Sequence, residues 1–267
     1  MSRLTAVFLL TAIIHAIDAL SYSVRPAGVR TGRLALALSL FNIIALASRS
    51  ANLIQAPLLG SLVDFAIQHG DVARLRADFR DVLFAATAGA VVGAAAIPTF
   101  VRVFTRGILA FEAAGSVGSL LWRLLRIRTL FAMTKDVRPP GPELGRHLDW
   151  RGLPKGFLVL NVVITAVYTT GVLAALYAGA LVPDFRTTAT QLSGVINGFA
   201  TVLFVTSVDP VAALITDQVM AGRRPRGQVH AMAALLALTK ILGTLLAQLV
   251  FLPAADIVVW VTHHIVH

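Results

Sequence analysis

The residues able to do chemistry in this chain are ionisable groups set inside long apolar runs. The clearest is Arg49, near the middle of LFNIIALASRSANLIQ at 40–55. A guanidinium keeps its charge and presents a planar fork of donors that matches phosphate oxygens. Ser48 precedes it, and Asn52 and Gln55 follow at helical spacing on or near its face. Arg49, Asn52 and Gln55 therefore read as a candidate site for an anionic head group, with a simple Arg49–Asp18 ion pair as the alternative. His15 and Asp18 stand three apart on one helical face, which Tyr22 continues, and suit a proton relay or a cation. Asp209 immediately precedes Pro210, and Lys240 lies midway along a later apolar run, so Asp209 and Lys240 are expected to pair. Lys240 is also a candidate cation for the substrate. Asp64, Asp217 and Glu112 are expected near membrane interfaces, as gating or ion-coupling groups alongside His15, Asp18 and Asp209.

A second basic group, Arg25, Arg30 and Arg33, falls in SYSVRPAGVRTGR. It can anchor a cytoplasmic loop or hold a phosphate-bearing lipid head group, with Gly28 and Gly32 allowing close backbone approach. The sequence contains no phosphate-loop or dinucleotide fingerprint, and its acidic residues are scattered singly, so neither a cofactor nor a metal is expected. The absence of cysteine removes disulfide and thiolate chemistry. His263, His264 and His267 read as a terminal tail.

These residues need elements to position them. The chain is 57% hydrophobic and 13% charged, with a mean hydropathy of +0.80, well below the roughly 25% charged residues of soluble domains. That places it in a membrane as an all-α polytopic protein. Six spans are expected, at 4–22, 34–56, 82–104, 157–181, 188–209 and 229–251. His15 and Asp18 break the apolar core that a cleaved signal peptide would need, so residues 4–22 read as a retained span. The net charge of +10 fits basic loops and anionic lipids better than nucleic acid. Lys and Arg concentrate after spans 1, 3 and 5, which predicts both termini outside the cell membrane. Residues 108–125, with Glu112 and Trp122, are expected to form an interfacial helix, and the proline-containing stretch 126–156 a cytoplasmic loop.

Two runs, 34–67 and 187–219, are too long for one straight helix across a bilayer, and each carries a proline in its second half: QAPLLGSLVD and SVDPVAALITD. An Asp follows the proline by seven in both, Pro57 to Asp64 and Pro210 to Asp217, and Asn42 and Asn197 precede them. IIHAIDA at 13–19 sets beside VITAVYT at 163–169, and AIPT at 96–99 beside FLPA at 251–254. The ordered, near-equal offsets predict two inverted three-span repeats, 1–106 and 157–267, joined by 107–156, with Pro57 and Pro210 as hinges.

From Ile14 to Asp64 the chain reads IHAIDALSYSVRPAGVRTGRLALALSLFNIIALASRSANLIQAPLLGSLVD. The pieces HAID, SYSVR, AGVRTGRLA, SLFN, SRSAN and QAPLLG follow in order without gaps, and this stretch resembles the Amj family of bacterial lipid II flippases. The length and six-span plan agree over the remainder. The resemblance implies transport of an undecaprenyl-pyrophosphate-linked peptidoglycan precursor from the inner to the outer leaflet of the bacterial cell membrane, by a protein alternate to the MurJ flippase. It supplies no set of functional residues. On that reading the fixed cations meet the pyrophosphate, and membrane lipids surround the chain. Coupling to a proton or cation gradient, or to the membrane potential, stays open. The residues alone also admit an ion-coupled small-solute transporter or a membrane enzyme acting on a lipid phosphate.

Overall fold

The computed structural model describes residues 3–114 and 151–266, and the described residues form helices and short turns without strands. α1 spans Arg3–Leu20 and continues through a tight turn at Ser21–Ser23 into α2, Val24–Thr31. α3 spans Leu34–His69 and α4 spans Val72–Ala114. Beyond the central segment, α5 covers Lys155–Leu181 and α6 covers Arg186–Leu203. A π-turn at Phe204–Val208 leads into α7, Asp209–Met220, and α8 runs from Gly227 to Val266. Six of these runs are long and apolar enough to cross a bilayer, as the composition requires.

The helices outrun the apolar windows that announce them. Lipid fixes only the part of a helix that must be apolar, and the backbone continues while good helix formers and caps allow. α4 starts early because Asp71 accepts the Arg74 backbone N–H at 3.1 Å, an N-cap that satisfies an otherwise orphaned donor. α3 stops one residue earlier at Gly70, whose φ of 66° lies in the left-handed region that glycine enters freely.

The helix runs on across residue 107, where the first repeat is expected to end. α4 continues unbroken through Ala114, and Ile108 is fully buried beside Phe104 in a core shared with α2 and α3. Of the expected interfacial helix, residues 115–125 lie outside the described residues, as does the loop at 126–150. His263 and His264 are not a loose tail: they sit in the last turns of α8, where His264 Nδ1 lies 2.9 Å from the Trp260 carbonyl, while His267 lies outside the described residues.

The two expected proline breaks differ. α3 passes Pro57 without interruption, with the ring on an exposed face. Pro210 follows the π-turn, whose geometry absorbs the carbonyl left unpaired by the missing proline N–H. Only this second long run is therefore visibly interrupted.

Packing pairs α1 with α4 and α5 with α8, while α4 and α8 meet between them. Apolar tails in a bilayer give little hydrophobic drive, so close approach at small residues does the work. A side chain on Gly89 would collide with the Ala12 carbonyl, and one on Gly243 would stand 2.7 Å from the Val162 carbonyl. Phe79 and Phe251 meet edge to face at 6.3 Å within the core that joins α1, α3, α4, α5 and α8. α3 rests on α1 and α6 on α5, at the outside of the bundle. Because the spans alternate in direction, residue 3, the turns after α3 and α5, and residue 266 share one end. The basic turns after α2 and α7 share the other.

Candidate functional site

A two-lobed cavity opens between α1, α3, α5 and α6. The lobe toward the terminal end measures about 370 Å³ and reaches Leu59, Leu83 and Leu173. The lobe toward the basic end measures about 320 Å³ and reaches Phe41, Asn161, Phe204 and Lys240. Both fall in the usual size range of ligand sites, about 300–1,000 Å³. Asp18, Arg49, Asn52, Tyr168 and Thr169 line both lobes and form the waist between them.

Arg49 lies fifteen residues into α3, roughly 22 Å along its axis and thus near mid-depth. It lines the waist with no carboxylate of the described residues within ion-pair distance. The alternative Arg49–Asp18 pair is not formed. Asp18 instead lies 3.6 Å from Lys240 Nζ and accepts a 3.3 Å hydrogen bond from Ser48 Oγ. Lys240 is nine-tenths buried and Asp18 about one-third exposed, so the pair neutralises a cation that would be costly alone. Arg49 is left with its charge directed at the cavity.

The other expected contacts sort themselves by partner. Asn52 donates to the Ser48 carbonyl of its own helix at 3.2 Å, which leaves its carbonyl oxygen as an acceptor at the waist. Gln55 is buried and donates to Thr11 Oγ1 at 2.5 Å, tying α3 to α1 on the wall of the terminal-end lobe. His15 is buried in the same wall, and its Nδ1 has no hydrogen-bond partner among the described residues.

The expected Asp209–Lys240 pair is also not formed. Asp209, at the start of α7, accepts from Arg25 of α2 at 2.5 Å. The geometry follows from the π-turn, which brings the start of α7 toward α2 while Lys240 faces Asp18. Arg25, Arg30 and Arg33 do not converge on one site. Arg33 pairs with Glu112 of α4, and Arg30 lines a separate recess of about 200 Å³ with Arg102, Thr105 and Arg106. None of the three lines the central cavity. Asp64, near the end of α3, pairs with Arg186 at the start of α6. Asp217 is exposed on α7, away from the cavity.

The sequence reading missed Tyr168, Thr169, Asn161 and Arg186. A signal for the first was present: the match of IIHAIDA with VITAVYT sets Tyr168 at the place of Asp18 and Thr165 at the place of His15. Tyr168 and Asp18 both line the waist, and Thr165 lines the basic-end lobe. Asn161 donates to Thr239 Oγ1 at 2.8 Å, holding α5 to α8 one residue from Lys240. Arg186 looked like an ordinary loop cation because its partner lies far away in sequence.

A six-span helical bundle built around a charged internal cavity defines an integral membrane protein with a polar site inside the bilayer. The chain belongs to the Amj family: the profile described as Amj, alternate to MurJ, matches residues 10–262. It is 36% identical over 257 residues to Lipid II flippase Amj of Bacillus subtilis (strain 168), covering 96% of this chain and 95% of that relative. No solved structure matches it. The likeness thus extends from the Ile14–Asp64 stretch to both halves of the cavity.

Proposed function

We propose that this protein is a lipid II flippase, which carries the undecaprenyl-pyrophosphate-linked precursor of the cell wall from the inner to the outer leaflet of the bacterial cell membrane. The observation that carries this reading is Arg49, a cation with no carboxylate partner among the described residues, at the waist of a cavity near mid-membrane. Such a charge is expensive in a bilayer unless an anion or water meets it. A pyrophosphate head group meets it with paired oxygens and gains from the low surrounding dielectric. The named relative supports the same substrate.

On this reading Arg49 takes the pyrophosphate and Lys240 adds a second positive field. Asp18 competes with the substrate for Lys240, which keeps binding weak enough for release. The basic end of the bundle faces the cytoplasm, by the concentration of Lys and Arg there, and both termini face outward.

The halves 1–106 and 157–267 act as inverted repeats. Support comes from the matching contacts of Gly89 on Ala12 and Gly243 on Val162, and from α1–α4 and α5–α8 packing alike. Alternating access bends the second repeat at the π-turn before Pro210, while Pro57 marks the corresponding place in α3. His15 and Asp18 stand where a proton or cation could be exchanged with the substrate cycle.

The test is expression in bacteria depleted of their own lipid II flippases, with membrane insertion verified. Restored growth and surface-labelled lipid II are expected. Failure by an inserted protein would overturn the reading. Mass spectrometry of the lipid before and after incubation separates transport from chemical conversion, since a flippase leaves the molecule unchanged.

A further inference from the structure

α3 and α6 line the basic-end lobe from opposite sides, Asn42 and Arg49 on one and Ala200 and Thr201 on the other. Yet among the described residues these two helices barely touch each other; α3 rests mainly on α1, and α6 on α5. They also belong to the two least buried spans. In their most apolar windows 19% and 22% of residues are buried, against 28% or more in each of the other four. A slot therefore separates α3 from α6 and joins the charged cavity to the surroundings of the bundle.

The rim of this slot is apolar. One turn to either side of Arg49, on the same face of α3, stand Leu46 and Leu53, 61% and 76% exposed. Across the slot, Val205 stands one turn beyond Thr201 on the same side and is 56% exposed, with Val202 beside it at 59%. A permanent cation thus sits at the inner edge of an opening whose outer edge suits hydrocarbon. Toward the terminal end, the Asp64–Arg186 ion pair ties α3 directly to α6 and bounds the slot.

A water-soluble anion would need only the cavity. A ligand that satisfies cavity and rim together is amphiphilic: an anionic phosphate head on a long apolar chain. We infer that the slot between α3 and α6 is a lateral portal, in which the hydrocarbon chain of a phosphate-headed lipid lies in the bilayer while its head occupies the Arg49 cavity. The identity of the substrate as a lipid rests on the flippase reading; the route of its chain is the new element. The chain need never enter the charged interior, which removes the largest desolvation cost of moving such a molecule.

Because the protein has no cysteine, an Asn42→Cys, Thr201→Cys pair carries the only thiols and can be bridged across the slot by a bis-maleimide. Binding of undecaprenyl pyrophosphate and of inorganic pyrophosphate is then measured on the full chain, bridged and unbridged. The bridge is expected to weaken the lipid about tenfold or more and inorganic pyrophosphate less than about twofold. Unchanged lipid binding after bridging would overturn the portal. If the unbridged protein binds neither probe, the flippase reading itself fails. An independent readout uses undecaprenyl pyrophosphate bearing a diazirine in its chain, added to the unmodified protein. Crosslinks to peptides containing Leu53 and Val205 are expected; crosslinks confined to the outer face of α8 around Leu249 would overturn the portal whatever the bridge does.

Discussion

Lys240 of α8 reaches across the bundle to Asp18 of α1 at 3.6 Å, and by doing so it leaves Arg49 as the cation that addresses the cavity. The two positive charges differ in kind. Lys240 is nine-tenths buried and has a carboxylate; Arg49 is exposed to the cavity and has none among the described residues. The pair is a structural device beside the cavity, and its contribution to stability can be measured by mutation.

Asp18→Asn strands a buried ammonium, whereas Lys240→Met removes it and leaves a partly exposed carboxylate. The first is therefore expected to destabilise more, by about 1–3 kcal/mol once the exposure of Asp18 is discounted. The double variant should recover part of the loss, giving a coupling that a double-mutant cycle of thermal unfolding in detergent resolves. Equal losses for both single variants, with additive behaviour in the double, would remove the pair from the account.

Arg49→Gln should leave the fold intact, because no ion pair among the described residues is lost, while reducing surface-labelled lipid II at least about tenfold. Arg49→Lys keeps the charge without the planar fork and should fall between. Full transport by a correctly inserted Arg49→Gln protein would show that the cavity charge is dispensable.

The sequence announced the spans because lipid imposes a length and a polarity on every crossing helix. It announced Arg49 for the same reason, since a charge in an apolar run must have a use or a partner. It did not announce who pairs with whom. Asp18 and Lys240 come from α1 and α8, Arg25 and Asp209 from α2 and α7, and such partners depend on packing angles no local pattern encodes. Arg25, Arg30 and Arg33 looked like one site because they are close in sequence, yet a short helix and the turn after it fan them toward three different neighbours. The Pro57–Pro210 symmetry in sequence likewise overstated the symmetry of the helices, since only the second run carries a π-turn.

The glycines give a prediction that tests packing without touching the cavity. Gly89→Ala would force a methyl group into the Ala12 carbonyl, and backbone cannot yield as a flexible side chain can. A loss of about 2–4 kcal/mol is expected. Gly60→Ala, on α3 with nothing near the new methyl, should instead be neutral or stabilising by about 0.5–1 kcal/mol. Thermal unfolding of both variants decides; similar stability for the two would contradict the close α1–α4 approach.

The Asp64–Arg186 pair is best tested by accessibility, for a physical reason. Both side chains are more than one-third exposed, so the stability at stake is at most about 1 kcal/mol and is a poor signal. Its position is the stronger clue: it joins α3 to α6 at the terminal end, while Arg25–Asp209 ties α2 to α7 nearer the basic end. If these ties alternate, breaking the terminal-end one shifts the population toward a cavity open on that side. A thiol introduced as Thr169→Cys at the waist reports this directly, since the chain has no other cysteine. Added Arg186→Gln is expected to speed its reaction with a membrane-impermeant maleimide applied outside whole cells several-fold, as a shift of about 1 kcal/mol in a two-state equilibrium would. Asp64→Asn should act the same way. The charge reversal Arg186→Asp with Asp64→Arg should return the rate toward that of the Thr169→Cys parent, because it rebuilds the tie with its polarity swapped. Rates that ignore all three changes would mean that the pair anchors the helix ends and has no part in opening the cavity.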